Sequence, residues 1–136
     1  MPTSKGKVYN HNRARQQRDY SGLLFGNITP TDIDGIIEYK NMAYVIIELK
    51  YGDAVLPYGQ RLALERLTDD LQQSGKLTLC IIASHETHDV NTDIDAANAH
   101  VSEFRYKGKW RMGKDGELTG NLVRRFLGNM SEGRWD

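Results

Sequence analysis

The sequence predicts an α/β sandwich built around a small mixed sheet. Three features point there: two strand-like runs joined by a short turn at Lys40-Asn41-Met42, a long amphipathic helix pattern before a third strand, and a last helix near the C-terminus. Antiparallel strands followed by a helical crossover give a sheet with both kinds of neighbour and helices packed on it. The length, 136 residues, suits one domain, and 39% hydrophobic with 26% charged residues lies in the globular range. We expect a basic flexible tail over 1–12, a single domain over 13–130 and a short tail over 131–136.

Residues 13–25 (RARQQRDYSGLLF) predict a short helix ending near Ser21-Gly22. Thr31 to Tyr39 and Ala43 to Lys50 (AYVIIELK) read as a hairpin, the second run apolar enough for a central strand. After a loop closed by Pro57, Gly59 to Gln73 places Leu62, Leu64, Leu67 and Leu71 at helical spacing and stops at Ser74-Gly75. Lys76 to Ala83 (KLTLCIIA) is a buried strand, and the Asp- and Asn-rich stretch from Ser84 to His100 has no predictable structure. Val101 to Met112 reads as an edge strand or a hairpin around Gly108, and Glu117 to Leu127 as the last helix.

Composition excludes several classes. Cys80 is the only cysteine, so an intrachain disulfide framework and an all-cysteine metal site are out. Its apolar strand setting also argues against a nucleophile. No apolar stretch approaches the ~20 residues of a membrane span and the first residues are not signal-like, so a cytoplasmic protein without a membrane partner is expected. Eighteen basic and eighteen acidic residues argue against a general coat for nucleic acid. The balance is uneven, however: Lys5, Lys7, Arg13, Arg15 and Arg18 precede the first carboxylate. That run is either a solvated arm or one that neutralises phosphates.

The chemistry lies in the hairpin. A turn centred on Asn41 puts Asp34 opposite Glu48 and Asp32 opposite Lys50, all on one face, while Ile47 and Leu49 point into a core. Two carboxylates this close repel unless one is protonated or a divalent cation lies between them. A lysine beside the pair can hold an attacking water or stabilise charge on a phosphate. The plainer account is a half-exposed hairpin with an Asp32–Lys50 pair worth under ~1 kcal/mol. Against it stand the register of the carboxylates, the Pro30-Thr31 lead into Asp34-Gly35, and Gly59-Gln60 opening the next helix.

Pro30-Thr31-Asp32-Ile33-Asp34-Gly35 followed by Ile46-Ile47-Glu48-Leu49-Lys50 resembles the PD-(D/E)XK nuclease superfamily. The resemblance implies a restriction-endonuclease-like α/β sandwich with a central mixed four-stranded sheet flanked by helices. It also implies that Asp34, Glu48 and Lys50 are catalytic, with Mg²⁺ or Mn²⁺ held by Asp34, Glu48 and the Leu49 backbone carbonyl. Gln60, with Leu64, Leu67 and Gly75, is similar to the helix after the lysine in resolvase-like and VRR-type branches, where the glutamine supports the site or the bound strand. The resemblance spans about 19–83. Many members carry a further ligand glutamate on the first helix, where this chain offers only Asp19. Asp32 stays open between pairing Lys50, holding a water and competing as ligand. Val123-Arg124-Arg125 falls in the wrong place for a signature.

Two further groups stand out. His85-Glu86-Thr87-His88-Asp89 lies after the third strand and reads as a polar loop, with a zinc site or a nucleic-acid contact as rarer alternatives. Arg105, Lys107, Lys109 and Arg111 around Trp110 would share one face of an unbroken strand and track a phosphate backbone, though charges also guard edge strands. The expected function is a metal-dependent deoxyribonuclease, endonuclease before exonuclease, small enough to suit a phage or mobile element. Arg13, Arg15, Arg18, Lys107, Lys109 and Arg111 would contact DNA, and a homodimer would cut both strands. The alternative is an inactive module of the same fold that binds nucleic acid or a protein.

Overall fold

A left-handed turn sets the register on which the site depends. Lys40 and Asn41 adopt φ of 46° and 60°, and the Met42 N–H donates to the Tyr39 carbonyl at 2.8 Å. Lys76 Nζ donates to both the carbonyl and the side-chain oxygen of Asn41, at 2.5 and 2.8 Å, pinning the turn to the start of the third strand. The strands on either side, β1 (Gly35–Tyr39) and β2 (Ala43–Tyr51), pair antiparallel with Gly35 opposite Ile47 and Tyr39 opposite Ala43. That is the register expected from a turn centred on Asn41.

The computed structural model describes residues 17–132, which divide between Thr31 and Asp32 into two units. In the first, the expected helix over 13–25 is absent across its described part. A single 3₁₀ turn, Ser21–Leu23, is followed by a Phe25–Ile28 bridge around Gly26 at φ 62°. Asp19 accepts the Ser21 N–H at 2.9 Å, which holds its carboxyl below the usual range and closes a local turn in place of a helical one. Arg13, Arg15 and the basic tail lie outside the described residues.

In the second unit, helix α1 (Tyr58–Gln73) connects β2 to β3 (Leu77–His85), which lies parallel to β2. The helix stops where the sequence placed its end: Gly75 at φ 98° lets its N–H reach the Gln72 carbonyl and the Lys76 N–H reach the Leu71 carbonyl, satisfying the last turn. A 3₁₀ turn, Ala96–Asn98, leads into β4 (His100–Tyr106), β5 (Lys109–Met112) and helix α2 (Thr119–Ser131). Strand order is β1-β2-β3-β4-β5, with β2–β3 the one parallel pair. The sheet therefore has five strands and not the four expected. The Lys107-Gly108 turn, with φ of 50° and 80°, folds the last segment into a hairpin and adds β5 as an edge.

Strand alternation sends the two sides of β2 to different helices. Val45, Leu79, Ile81, Ala83 and Val101 pack with Leu122 of α2, and Ile47 and Leu49 lie against this cluster. Ile46 and Cys80 pack with Leu64 of α1, joined by Leu67, Leu71 and Trp110. Full burial of side chains such as Ile46, Leu79 and Ile81 contributes about 1.5–3 kcal/mol each. Glu48 lies two residues after Ile46, so it points toward the α1 side.

Candidate active site

Glu48 is a carboxyl set into a mostly apolar strand, and it is only 5% exposed. Its Oε2 is buried without a hydrogen-bond partner. Burial foremost, then hydrogen bonding to Asp34 and the charge of that carboxylate, push its pKa up to about 8. The Gln60 amide opposes the rise and the charge of Asp32 adds to it. A buried carboxyl thus meets an exposed one, and the burial of Glu48 makes its charged form the costlier of the two.

Asp34 lies one residue before β1 begins, not within a strand as expected. From there its Oδ2 accepts the Leu49 N–H at 2.7 Å, in place of the missing ladder partner. In a strand the N–H and carbonyl of one residue point to the same side. The Leu49 carbonyl therefore also faces the open edge beyond β1, beside Asp34. Asp32 precedes the ladder too, so no Asp32–Lys50 strand pair forms. Its carbonyl instead receives the Gln60 Nε2 at 3.5 Å.

Gln60 sits in the first turn of α1, which brings it over the Glu48 end of β2. The next residue, Arg61, forms a two-pronged pair with Glu103 at 2.6 and 2.8 Å, its guanidinium 4.3 Å from the Trp110 ring centre. Glu103 stands in the same cross-sheet row as Glu48, separated by Ile82, and its carboxyl is held below the usual range by Arg61 first, with Lys50 contributing. Arg105 on β4 and Asp69 on α1 make a second such pair at 2.9 and 2.7 Å. This brace from α1 to β4 and β5 was not legible in the sequence: locating Glu103 requires counting across a bulge at Ile82/Ala83.

The structure thus brings Asp34, Glu48, Leu49 and Gln60 together, with Lys50 one step along the same face and Asp32 nearby. The donor set fits a hard divalent cation: two carboxyls, one with an orphaned buried oxygen, and an edge-facing carbonyl. Among the described residues no group of three His, Cys, Asp or Glu converges on one point. Arg18 is exposed in the first unit. The basic stripe does not form: Arg105 is committed to Asp69, Lys107 is in the turn, and Lys109 and Arg111 lie opposite Tyr106 and Phe104, on the face away from Glu48. Their strand is three strands from β2, about 14 Å at normal spacing. Cys80 is fully buried, which pushes its thiol up to about 11, the setting of an inert residue. Comparison with protein-family models, curated proteins and solved structures returns no match.

Proposed function

We propose that the protein is a divalent-metal-dependent nuclease that hydrolyses phosphodiester bonds of DNA, its fold a restriction-endonuclease-like variant with a fifth strand. The observation that carries this reading is the buried, partnerless Oε2 of Glu48 beside Asp34. An apolar strand has no structural use for such an atom, and leaving it unpaired costs about 1–3 kcal/mol. Asp34, Glu48 and the Leu49 carbonyl would hold Mg²⁺ or Mn²⁺, which when bound supplies positive charge that polarises a phosphate and acidifies water.

The chain's own residues divide the remaining work. Lys50 donates hydrogen bonds to the attacking water or to the phosphate oxygen on which charge grows. Gln60 orients the Glu48 carboxyl and ties it to Asp32, which supports the site without being one of its ligands in this reading. The water oxygen would bond to phosphorus as it releases a proton to solvent, one P–O ester bond breaks, and the departing oxygen takes up a proton from solvent, so the elements of water divide between the two products. Arg13, Arg15 and Arg18 are the nearest expected phosphate contacts in the sequence, whereas Lys107, Lys109 and Arg111 would meet only DNA that reaches past the opposite edge. Internal cleavage of both strands calls for two sites, hence a homodimer.

The test is incubation with supercoiled plasmid, linear DNA and branched DNA in Mn²⁺, in Mg²⁺ and in EDTA, beside Lys50→Ala. Metal-dependent cleavage reduced about 100-fold or more in the variant is expected, the loss typical of one removed charge-stabilising donor. Cleavage unaffected by the substitution would overturn the assignment. DNA binding with no cleavage in any metal would favour the inactive module.

A further inference from the structure

We propose that Tyr51, braced by His85 and His88, is a stacking platform for an unpaired nucleobase of the substrate strand. The inference rests on the nuclease reading for its class of ligand. Tyr51 immediately follows Lys50 and ends β2 opposite His85, the last residue of β3. The platform therefore stands at the carboxyl rim of the parallel pair, the end of an α/β sheet at which ligands collect.

The tyrosine is held from several sides yet remains open. Its hydroxyl hydrogen-bonds to His88 Nδ1, and its ring meets the His85 and His88 rings edge-on, at 5.6 and 5.5 Å between centres. His85 Nδ1 is itself engaged by the Thr87 N–H at 3.2 Å. Beneath the ring the backbone is tied down: the Gly52 N–H donates to the His85 carbonyl at 2.9 Å and Ser84 Oγ to the Gly52 carbonyl at 2.7 Å. With all these contacts made, Tyr51 is still 46% exposed, and it belongs to neither apolar cluster. Its polar tip is spent, so what it offers a ligand is ring surface at little further entropic cost.

Charge decides between base and phosphate. Asp53, Glu86 and Asp89 flank the three rings in sequence and disfavour a phosphate there. A base presents a π-face of any identity, and aromatic stacking on single strands tolerates all four. Strand alternation turns Tyr51 to the face opposite Lys50, so the platform would receive a base splayed around the rim of β2 from a phosphate held at Lys50. Single-stranded or branched DNA would then be preferred over uninterrupted duplex.

The test uses the full chain in EDTA, where metal-dependent cleavage is silent, and fluorescence anisotropy with a labelled single strand, a blunt duplex of equal length and an abasic single strand. Tighter binding of the single strand than of the duplex is expected, weakened about tenfold by Tyr51→Ala and nearly unchanged by Tyr51→Phe. The abasic strand should bind wild type no better than the single strand binds Tyr51→Ala. Equal affinities of wild type and Tyr51→Ala, an equal loss on the abasic strand, or no single-strand binding by wild type overturns the proposal. Should Tyr51→Ala fail to fold, the Tyr51→Phe and abasic measurements decide alone. Plasmid cleavage in Mn²⁺ is read separately: its absence sinks the nuclease while leaving the affinity difference standing, and the converse sinks only the platform.

Discussion

Glu48 is the residue with most at stake in this protein. Burial, and then Asp34, raise its pKa from an ordinary 4.5 to about 8. Between those values the folded chain holds a proton that the unfolded chain has released. Its contribution to stability is thus complete below pH 4.5 and is lost as pH rises to 8. Urea unfolding in EDTA between pH 5 and 9 should show that decline in wild type and a flatter profile in Glu48→Gln. Parallel profiles would mean that the carboxyl does not carry the tension assigned to it. Asp34→Asn should also flatten the decline, though less, because burial remains the larger cause.

The elements around that residue explain how far the sequence could be read. The hairpin register was legible because a three-residue turn between two strongly patterned strands leaves one pairing that buries Val45 and Ile46 on their proper sides. The α1 boundaries followed from leucine spacing and from Ser74-Gly75. The fifth strand was not settled, because Gly108 within a charged run fits a turn or a strand end equally well. The expected first helix gave way to a local Asp19–Ser21 hydrogen bond, a competition that periodicity does not register. Two predictions belong here. Removing the Glu103 side chain (Glu103→Ala) leaves the Arg61 guanidinium stacked on Trp110 with only the looser Glu65 carboxylate at 4.0 Å and should lower stability by about 1–2 kcal/mol in urea unfolding. Gly113→Ala would set a methyl 2.2 Å from the Val101 carbonyl oxygen, which backbone must move to accommodate. A loss of about 2 kcal/mol or more is expected, with amide exchange fastest in β5. An unchanged unfolding midpoint in either variant would contradict the packing described.

Across the chain, eighteen positive and eighteen negative charges leave no net attraction for DNA, so on the proposed reading binding would come from a few directed contacts, and its salt slope would report how many phosphates they neutralise. Cutting by a dimer would convert supercoiled plasmid to linear product with a steeper dependence on protein concentration than nicking alone. These properties all presuppose that the Asp34–Glu48 pair is built for a cation. No helix among the described residues is long and apolar enough to cross a membrane. The decisive measurement is the shift in thermal unfolding midpoint with Mn²⁺ at pH 8, for wild type beside Glu48→Gln. A ligand at 100 times its dissociation constant adds about 2.7 kcal/mol, a shift of several degrees for a domain of this size. Wild type should rise by that amount and Glu48→Gln should not. An equal response in the two proteins, or none in wild type, would contradict the site.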